Sequence, residues 1–132
     1  MTMTKTILLV EDDAINRKLV RIVLGDKKRY RILEATSAGE ALEQLGRIKP
    51  DLLLLDIRLD HGSGLDVISA VRNDRCFDDV PVVAITAEAM KGDEKRFLAA
   101  GFDGYLSKPV DTRRLQEVVE RFINAGRKAA YV

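Results

Sequence analysis

LLLLD, at residues 52–56, is a run of four leucines that has no polar face and ends in an aspartate. Strands of a parallel sheet are buried on both faces and show such unbroken apolar runs, whereas strands with one solvated face alternate. Pro50 precedes the run, and a loop that contains Gly62 and Gly64 follows it. The stretch therefore predicts the central strand of an α/β sheet, with Asp56 at its carboxyl end.

The segments on either side alternate between strand and helix patterns. Apolar runs predict further strands at residues 6–10, 30–35, 80–85 and 104–107. A helix is predicted after each strand. The first has Ile15, Leu19, Ile22 and Val23 on one face, and the second begins at a capping box formed by Ser37 and Glu40. The third contains Leu65, Ile68 and Val71, the fourth covers 88–100, and the fifth contains the apolar stripe 115–123. Five such units in about 125 residues predict a doubly wound parallel sheet, because parallel strands need helical crossovers.

The composition is that of one ordinary globular domain. The 132 residues are 46% hydrophobic and 33% charged, which argues against disorder. We expect a single domain over residues 1–132, with its core at about 5–125 and no output domain. The net charge of +1 favours neither nucleic acid nor a membrane as partner. A single cysteine, Cys76, and the lack of a signal peptide or a spanning apolar run predict a cytoplasmic location.

Residues that can carry chemistry follow four of the five predicted strands. The acidic triplet Glu11–Asp13 follows the first strand, Asp56 ends the third, Thr86 follows the fourth and Lys108 follows the fifth. Because ligands of open α/β sheets bind beyond the carboxyl ends of the strands, these side chains are expected to converge. Taken singly, each also has a structural explanation, a solvated loop or helix N-cap for the acidic residues and Thr86, and a solvated charge for Lys108.

The carboxylates at this edge predict a site for a hard cation. Converging carboxylates repel one another, and a bound cation relieves that repulsion. Oxygen ligands favour Mg²⁺, and no His or Cys is suitably placed for zinc. A carboxylate beside such an ion can act as a nucleophile and form an aspartyl phosphate. Lys108 would supply a positive charge to a phosphoryl oxygen, and the Thr86 hydroxyl could donate to another.

At these positions the chain resembles the receiver domains of two-component response regulators. The match rests on the acidic triplet, on Leu-Leu-Leu-Asp56, on Ala-Ile-Thr86-Ala and on Ser-Lys108-Pro. Asp56 lies 44 residues after Asp12, and Thr86 and Lys108 lie 30 and 52 residues after Asp56. It extends over essentially the whole chain and implies the flavodoxin-like receiver fold with strand order 2-1-3-4-5. Within the family, the chain is most similar to single-domain cell-cycle regulators and to the receivers of hybrid kinases, and it also resembles the chemotaxis regulator.

The resemblance assigns roles to individual positions. It implies that Mg²⁺ is held by Glu11, Asp12, Asp56 and the backbone carbonyl of Arg58, with Asp13 peripheral. It makes Asp56 the phosphoacceptor, with Thr86 and Lys108 binding the phosphoryl group. Thr86 and Tyr105 are then the switch that reports phosphorylation, and the Lys108–Pro109 peptide bond is expected to be cis.

One departure from the family pattern lies in the loop after Asp56. The family often has proline four residues after the phosphoacceptor, and this chain has Asp60 there, followed by His61. The departure predicts a more mobile loop. The additional carboxylate could sense the metal, but a plain solvated loop is favoured. His61 is expected to be an exposed loop residue and neither a ligand nor a phosphodonor.

The resemblance implies a stand-alone response regulator of a phosphorelay. Its partners would be a sensor histidine kinase or a histidine phosphotransferase, and a downstream protein bound by the fourth helix, fifth strand and fifth helix. The chain would catalyse its own phosphorylation and slow autodephosphorylation without being a turnover enzyme, as a monomer or a phosphorylation-promoted dimer. One alternative is a receiver-like binding module that works without phosphorylation. Another is an aspartyl phosphohydrolase, although such enzymes usually have a second aspartate where this chain has Arg58.

Overall fold

The leucine run at residues 52–55 lies in the middle strand of a five-stranded parallel sheet, in a computed structural model that describes residues 4–25, 29–87 and 93–129. The strands are β1 (Lys5–Val10), β2 (Tyr30–Ala35), β3 (Leu52–Asp56), β4 (Val82–Thr86) and β5 (Gly104–Ser107). Their order across the sheet is β2-β1-β3-β4-β5. The doubly wound architecture and the strand order are both confirmed.

Helices follow each strand and cover both faces of the sheet. They are α1 (Ala14–Val23), α2 (Ala38–Leu45), α3 (Gly64–Arg72), α4 (Asp93–Ala100) and α5 (Thr112–Ala125), with short 3₁₀ turns at Arg75–Phe77 and Gly126–Ala129. The first five residues of the helix predicted at 88–100 lie outside the described residues. No helix of the described chain is long and apolar enough to cross a membrane.

The β3 leucines divide between two cores, because successive side chains of a strand point to opposite faces. Leu53 and Leu55 pack in the core beneath α2, α3 and α4, whereas Leu52 and Leu54 pack in the core beneath α1 and α5. All four side chains are fully buried. The absence of a polar face in this strand is therefore explained by a helical layer on each side.

The side chains predicted to share one face of α1 do not share a buried face. Ile15 and Ile22 are 78% and 68% exposed, whereas the buried residues at this helix are Val20 and Leu24. The apolar spacing correctly predicted a helix, but two members of the stripe project away from the sheet. Two large apolar side chains of α1 thus remain at the surface.

The start of β4 also differs from the prediction. The strand begins at Val82, whereas the sequence placed its start at Val80. Proline has no backbone N–H and cannot donate to a ladder, so the regular pairing starts after Pro81. The Pro81 carbonyl still accepts a hydrogen bond from the N–H of Leu53, at 3.0 Å.

A polar cluster that the sequence did not predict joins the amino ends of β4 and β5 to α3 and the C-terminal 3₁₀ turn. Its centre is Asp103, which is 3% exposed. One carboxylate oxygen accepts from Arg72 Nη2 at 2.8 Å and from the Val82 N–H at 2.9 Å, and the other accepts from Arg127 Nε at 2.8 Å. The cluster ties four separate parts of the chain together at the edge of the sheet opposite the predicted site.

Candidate active site

Asp56 lies at the carboxyl end of β3, between the ends of β1 and β4, and is 2% exposed. The start of α3 packs directly against its backbone. A Cβ atom on Gly64 would lie 2.4 Å from the Asp56 carbonyl oxygen, so only glycine permits this approach. Gly64 in the loop after Asp56 is thus a steric requirement, because any side chain at this position would clash with the Asp56 backbone.

The acidic triplet after β1 contributes two side chains to the same place. Glu11 is 1% exposed and Asp12 is half-buried. Asp13 is exposed and caps α1, because its Oδ1 accepts from the N–H of Ile15 at 2.8 Å. The N-cap explanation therefore holds for Asp13, whereas Glu11 and Asp12 lie beside Asp56.

Lys108 brings a positive charge into this group. Its Nζ atom lies 2.8 Å from Asp56 Oδ2 and 2.9 Å from Glu11 Oε1. The backbone N–H of Lys108 donates to the Thr86 carbonyl at 2.8 Å, which ties the residue to the end of β4. The Lys108–Pro109 bond is cis, as the resemblance implied. The lysine is therefore part of a buried ion-pair network and not a solvated charge.

Burial and charge change the protonation equilibria of the group. Burial, together with the neighbouring Asp56 carboxylate, raises the pKa of Glu11 to about 7, although Lys108 acts in the opposite direction. For Lys108, burial alone would lower the pKa, but its contacts with Asp56 and Glu11 outweigh burial and raise it. Partial burial would raise the pKa of Asp12, yet hydrogen bonds such as that from the Asp60 N–H hold it below its ordinary value.

The donor set fits a hard cation. Carboxylate oxygens of Glu11, Asp12 and Asp56 all lie within 4.8 Å of one another. Lys108 pairs with Glu11 and Asp56, and with Asp12 beside them the three acidic groups can carry more negative charge than this lysine balances. Mg²⁺ takes such oxygen ligands.

The remaining predicted residues lie around this pocket. Thr86 is 2% exposed at the end of β4. Arg58 is exposed, and its backbone N–H donates to Asp56 Oδ1 at 3.1 Å. Tyr105 is half-buried on β5, with its ring centroid 6.1 Å from that of Phe97. Glu11, Asp12, Asp56, Thr86 and Lys108 are thus brought to one edge of the sheet. Tyr105 lies within β5, two strands from β3, and is paired in register with Ala84 of β4.

The loop after Asp56 contacts the site through its backbone. Asp60 and His61 are both exposed, as expected of a loop. The N–H of Asp60 nevertheless donates to Asp12 Oδ2 at 2.8 Å. The sequence had considered only the carboxylate of Asp60, because a composition-based argument does not reveal where a backbone N–H points.

Arg17 is a further residue that the sequence did not single out. Its Nη1 donates to the Glu11 carbonyl at 3.0 Å, and its Nε lies 3.2 Å from a carboxylate oxygen of Glu34 on β2. The arginine therefore holds the backbone of the acidic loop against the neighbouring strand. A charged residue on a surface helix offers no signal in the sequence that distinguishes this role from solvation.

A family model described as the response regulator receiver domain matches residues 7–120. The chain belongs to this family. The receiver domain is 38% identical over 121 residues to the polar-differentiation response regulator DivK of Brucella ovis, across 92% of this chain and 98% of that protein. The DivK protein of Brucella anthropi is 36% identical over the same shares. The predicted relationship to two-component receivers is confirmed.

Solved structures with the same fold include the receiver domain of a sensor histidine kinase and a chemotaxis response regulator. The receiver domain of a sensor histidine kinase from Pseudomonas aeruginosa, which has a magnesium ion in its active-site cleft, is 31% identical with a TM-score of 0.82, across 92% of this chain and 99% of that one. The chemotaxis response regulator CheY4 of Vibrio cholerae has a TM-score of 0.82 at 24% identity, across 89% of this chain and 98% of that one, and supports the fold alone.

Proposed function

We propose that this receiver domain is a phosphorylation switch in which Asp56 accepts a phosphoryl group from a phosphohistidine of a partner protein. The observation that carries the proposal is a buried Asp56 carboxylate, 2.8 Å from the ammonium of Lys108 and beside two further carboxylates. A carboxylate oxygen would attack phosphorus, the bond from phosphorus to the histidine nitrogen would break, and the imidazole would leave. The product is an aspartyl phosphate.

Some pocket residues would bind the phosphoryl group, and others would hold the metal ion. Lys108 would move from its ion pair with Asp56 to an oxygen of the arriving phosphoryl group, and the Thr86 hydroxyl would donate to another. Glu11, Asp12, Asp56 and the Arg58 carbonyl would hold Mg²⁺, which when bound supplies charge neutralisation for the phosphoryl oxygens. The chain's own groups thereby orient the acceptor and stabilise the charge that it receives.

Incubation with acetyl phosphate and Mg²⁺, followed by intact-mass analysis, tests the proposal against its alternatives. A switch gains one labile phosphoryl group per chain. A phosphorylation-independent binding module gains none, and an aspartyl phosphohydrolase releases inorganic phosphate continuously. Stoichiometric phosphorylation without sustained turnover is the expected result, since Arg58 occupies the place of the second aspartate that such hydrolases usually have.

Millimolar Mg²⁺ is expected to stabilise the folded chain, because the ion relieves repulsion among the three carboxylates and binds only the native state. At about ten times its dissociation constant, the ion should add about 1.4 kcal/mol to the free energy of unfolding. Asp12→Ala should lose this increment in thermal melts. Asp13→Ala is the matched control: it removes the α1 cap but should retain the Mg²⁺ shift. Equal shifts in both variants would remove Asp12 from the metal site.

The exposed apolar residues of α1 favour this helix as the docking surface for the phosphodonor. Ile15 lies three residues after Asp12, at the rim of the pocket, and is 78% exposed. Ile22 lies two helical turns further on, about 10 Å along the axis, and is 68% exposed. A partner that presents a histidine to Asp56 must cover this rim, and large exposed apolar side chains are typical of protein interfaces.

Replacing both isoleucines by alanine is therefore expected to slow phosphotransfer from a cognate kinase or phosphotransferase by about tenfold or more, since anchor residues commonly contribute over 1 kcal/mol each. The rate with acetyl phosphate should stay within about twofold, because this small donor needs no protein surface. Leu98→Ala, which truncates a side chain 46% exposed on α4, is the control. If rapid-quench kinetics show equal transfer rates for the double variant and wild type, docking lies elsewhere.

The output is proposed to be contact with another protein through α4, β5 and α5. Thr86 on β4 is paired in register with Ser107 of β5, two residues after Tyr105. Movement of the Thr86 hydroxyl toward a phosphoryl group would open space for the Tyr105 ring to turn inward and so change the exposed face. We further propose that the chain acts as a single receiver domain, as a monomer or as a phosphorylation-promoted dimer.

A further inference from the structure

The loop between β3 and α3 is held in place by several backbone contacts. The Gly64 N–H donates to the Ile57 carbonyl at 2.9 Å, and Arg58 pairs with Ser63 in an antiparallel bridge. The His61 carbonyl accepts from the N–H of Ala38 at the start of α2, at 3.4 Å. These contacts close the loop on itself and dock it against α2.

Gly62 makes the docking possible. Its φ angle is +87°, in the left-handed region, and a Cβ at this position would lie 2.7 Å from the Cβ of Ala38. Glycine adopts this conformation without strain and leaves room for the helix. The path of residues 58–63 is therefore determined by the fold.

On this path, Asp60 directs its backbone N–H at the acidic pocket. The N–H donates to Asp12 Oδ2 at 2.8 Å, a distance typical of a strong hydrogen bond to a carboxylate. The two residues are 48 positions apart in the chain. Because Asp12 is only half-buried, its carboxylate would otherwise sample several rotamers, and this contact selects one of them.

We propose that Asp60, through its backbone N–H, is a positioning residue that orients Asp12 for cation binding. This inference rests on the proposed function. The family often has proline at this position, and proline has no N–H, so the aspartate supplies a donor that the usual residue lacks. Hydrogen-bond partners of metal ligands fix ligand geometry before the metal arrives and strongly affect its affinity.

The side chain of Asp60 also interacts with Asp12 and must be separated from the backbone donor. Its charge is exposed, where water and salt screen it. The backbone donor and the side-chain charge can be separated by substitution, because alanine retains the N–H and removes the carboxylate, whereas proline removes both.

Mg²⁺ titrations of wild type, Asp60→Ala and Asp60→Pro test the inference. We expect the dissociation constant measured by calorimetry to rise about tenfold in Asp60→Pro and to stay within about twofold of wild type in Asp60→Ala. Equal affinity of wild type and Asp60→Pro would overturn the inference while leaving the proposed function intact. Equal weakening in both variants would also overturn it, because the carboxylate would then be responsible. A wild-type chain that binds no Mg²⁺ would overturn the metal-dependent function and the inference together.

Amide hydrogen exchange keeps the inference testable if the proline variant does not fold. In Asp12→Ala the Asp60 amide should exchange about tenfold faster than in wild type. The Arg58 amide, which donates to Asp56 Oδ1, is the internal control and should not change. In wild type, adding Mg²⁺ should slow exchange at Asp60. An Asp60 amide whose exchange is indifferent to Asp12 or to Mg²⁺ would overturn the inference.

Discussion

Asp56→Asn is expected to abolish phosphorylation by acetyl phosphate. The substitution replaces the nucleophilic carboxylate with an amide of nearly the same shape, which cannot form a stable acyl phosphate. Asp56 is the carboxylate at the end of the central strand, and its Oδ2 lies 2.8 Å from Lys108 Nζ. Intact-mass analysis should show full phosphorylation of wild type and no detectable product in the variant.

Asp51→Asn is the matched control for this experiment. Asp51 immediately precedes β3 at the opposite edge of the sheet, and its Oδ2 accepts from the Thr6 N–H at 2.8 Å. Its amide counterpart retains an oxygen acceptor, so this variant should be phosphorylated like wild type. If Asp56→Asn still gained a phosphoryl group, the acceptor would have to be reassigned to Asp12 or Asp13. Circular dichroism should show that both variants remain folded.

Asp103→Ala is expected to lower the free energy of unfolding by about 3–5 kcal/mol, since removing one partner of a buried ion pair leaves charges and donors without compensation. Arg72, whose side chain is 15% exposed, would lose its carboxylate partner in the interior. The buried N–H of Val82 would lose its acceptor, at an additional cost. Urea denaturation monitored by circular dichroism measures the change.

The same substitution at an exposed ion pair is the control for Asp103. Asp79 lies 2.8 Å from Lys49, with the two side chains 75% and 47% exposed. Surface pairs of this kind contribute about 0–1 kcal/mol, so Asp79→Ala should be nearly neutral. Equal losses in the two variants would show that burial of the Asp103 cluster contributes nothing to stability.

The fold was predictable because its periodicities are local. The leucine run of β3 and the capping pair Ser37 and Glu40 both point to the observed elements, and Ser37 Oγ accepts from the Glu40 N–H at 3.1 Å. The reciprocal half of that predicted cap differs, because the Glu40 carboxylate instead accepts from Thr36 Oγ1 at 2.8 Å. Neighbouring donors compete for the Glu40 carboxylate, and the periodicity of the sequence does not predict which of them binds it.

The exposed face of α1 was not predictable by the same reasoning. A helical spacing of apolar residues indicates a helix, but the angle at which the helix meets the sheet decides which of them are buried. Val20 and Leu24 face the core, whereas Ile15 and Ile22 remain exposed. The prediction of α1 was right in type and wrong in the residues that it assigned to one packing face.

The sequence by itself determined the fold class and the convergence of Glu11, Asp12, Asp56, Thr86 and Lys108, because the carboxyl ends of parallel strands must share one edge of the sheet. Only the tertiary structure decided that Asp60 donates to Asp12 across 48 residues and that Asp103 joins Arg72 and Arg127 across 31 and 24 residues. These contacts depend on loop paths and helix docking, which no local pattern specifies.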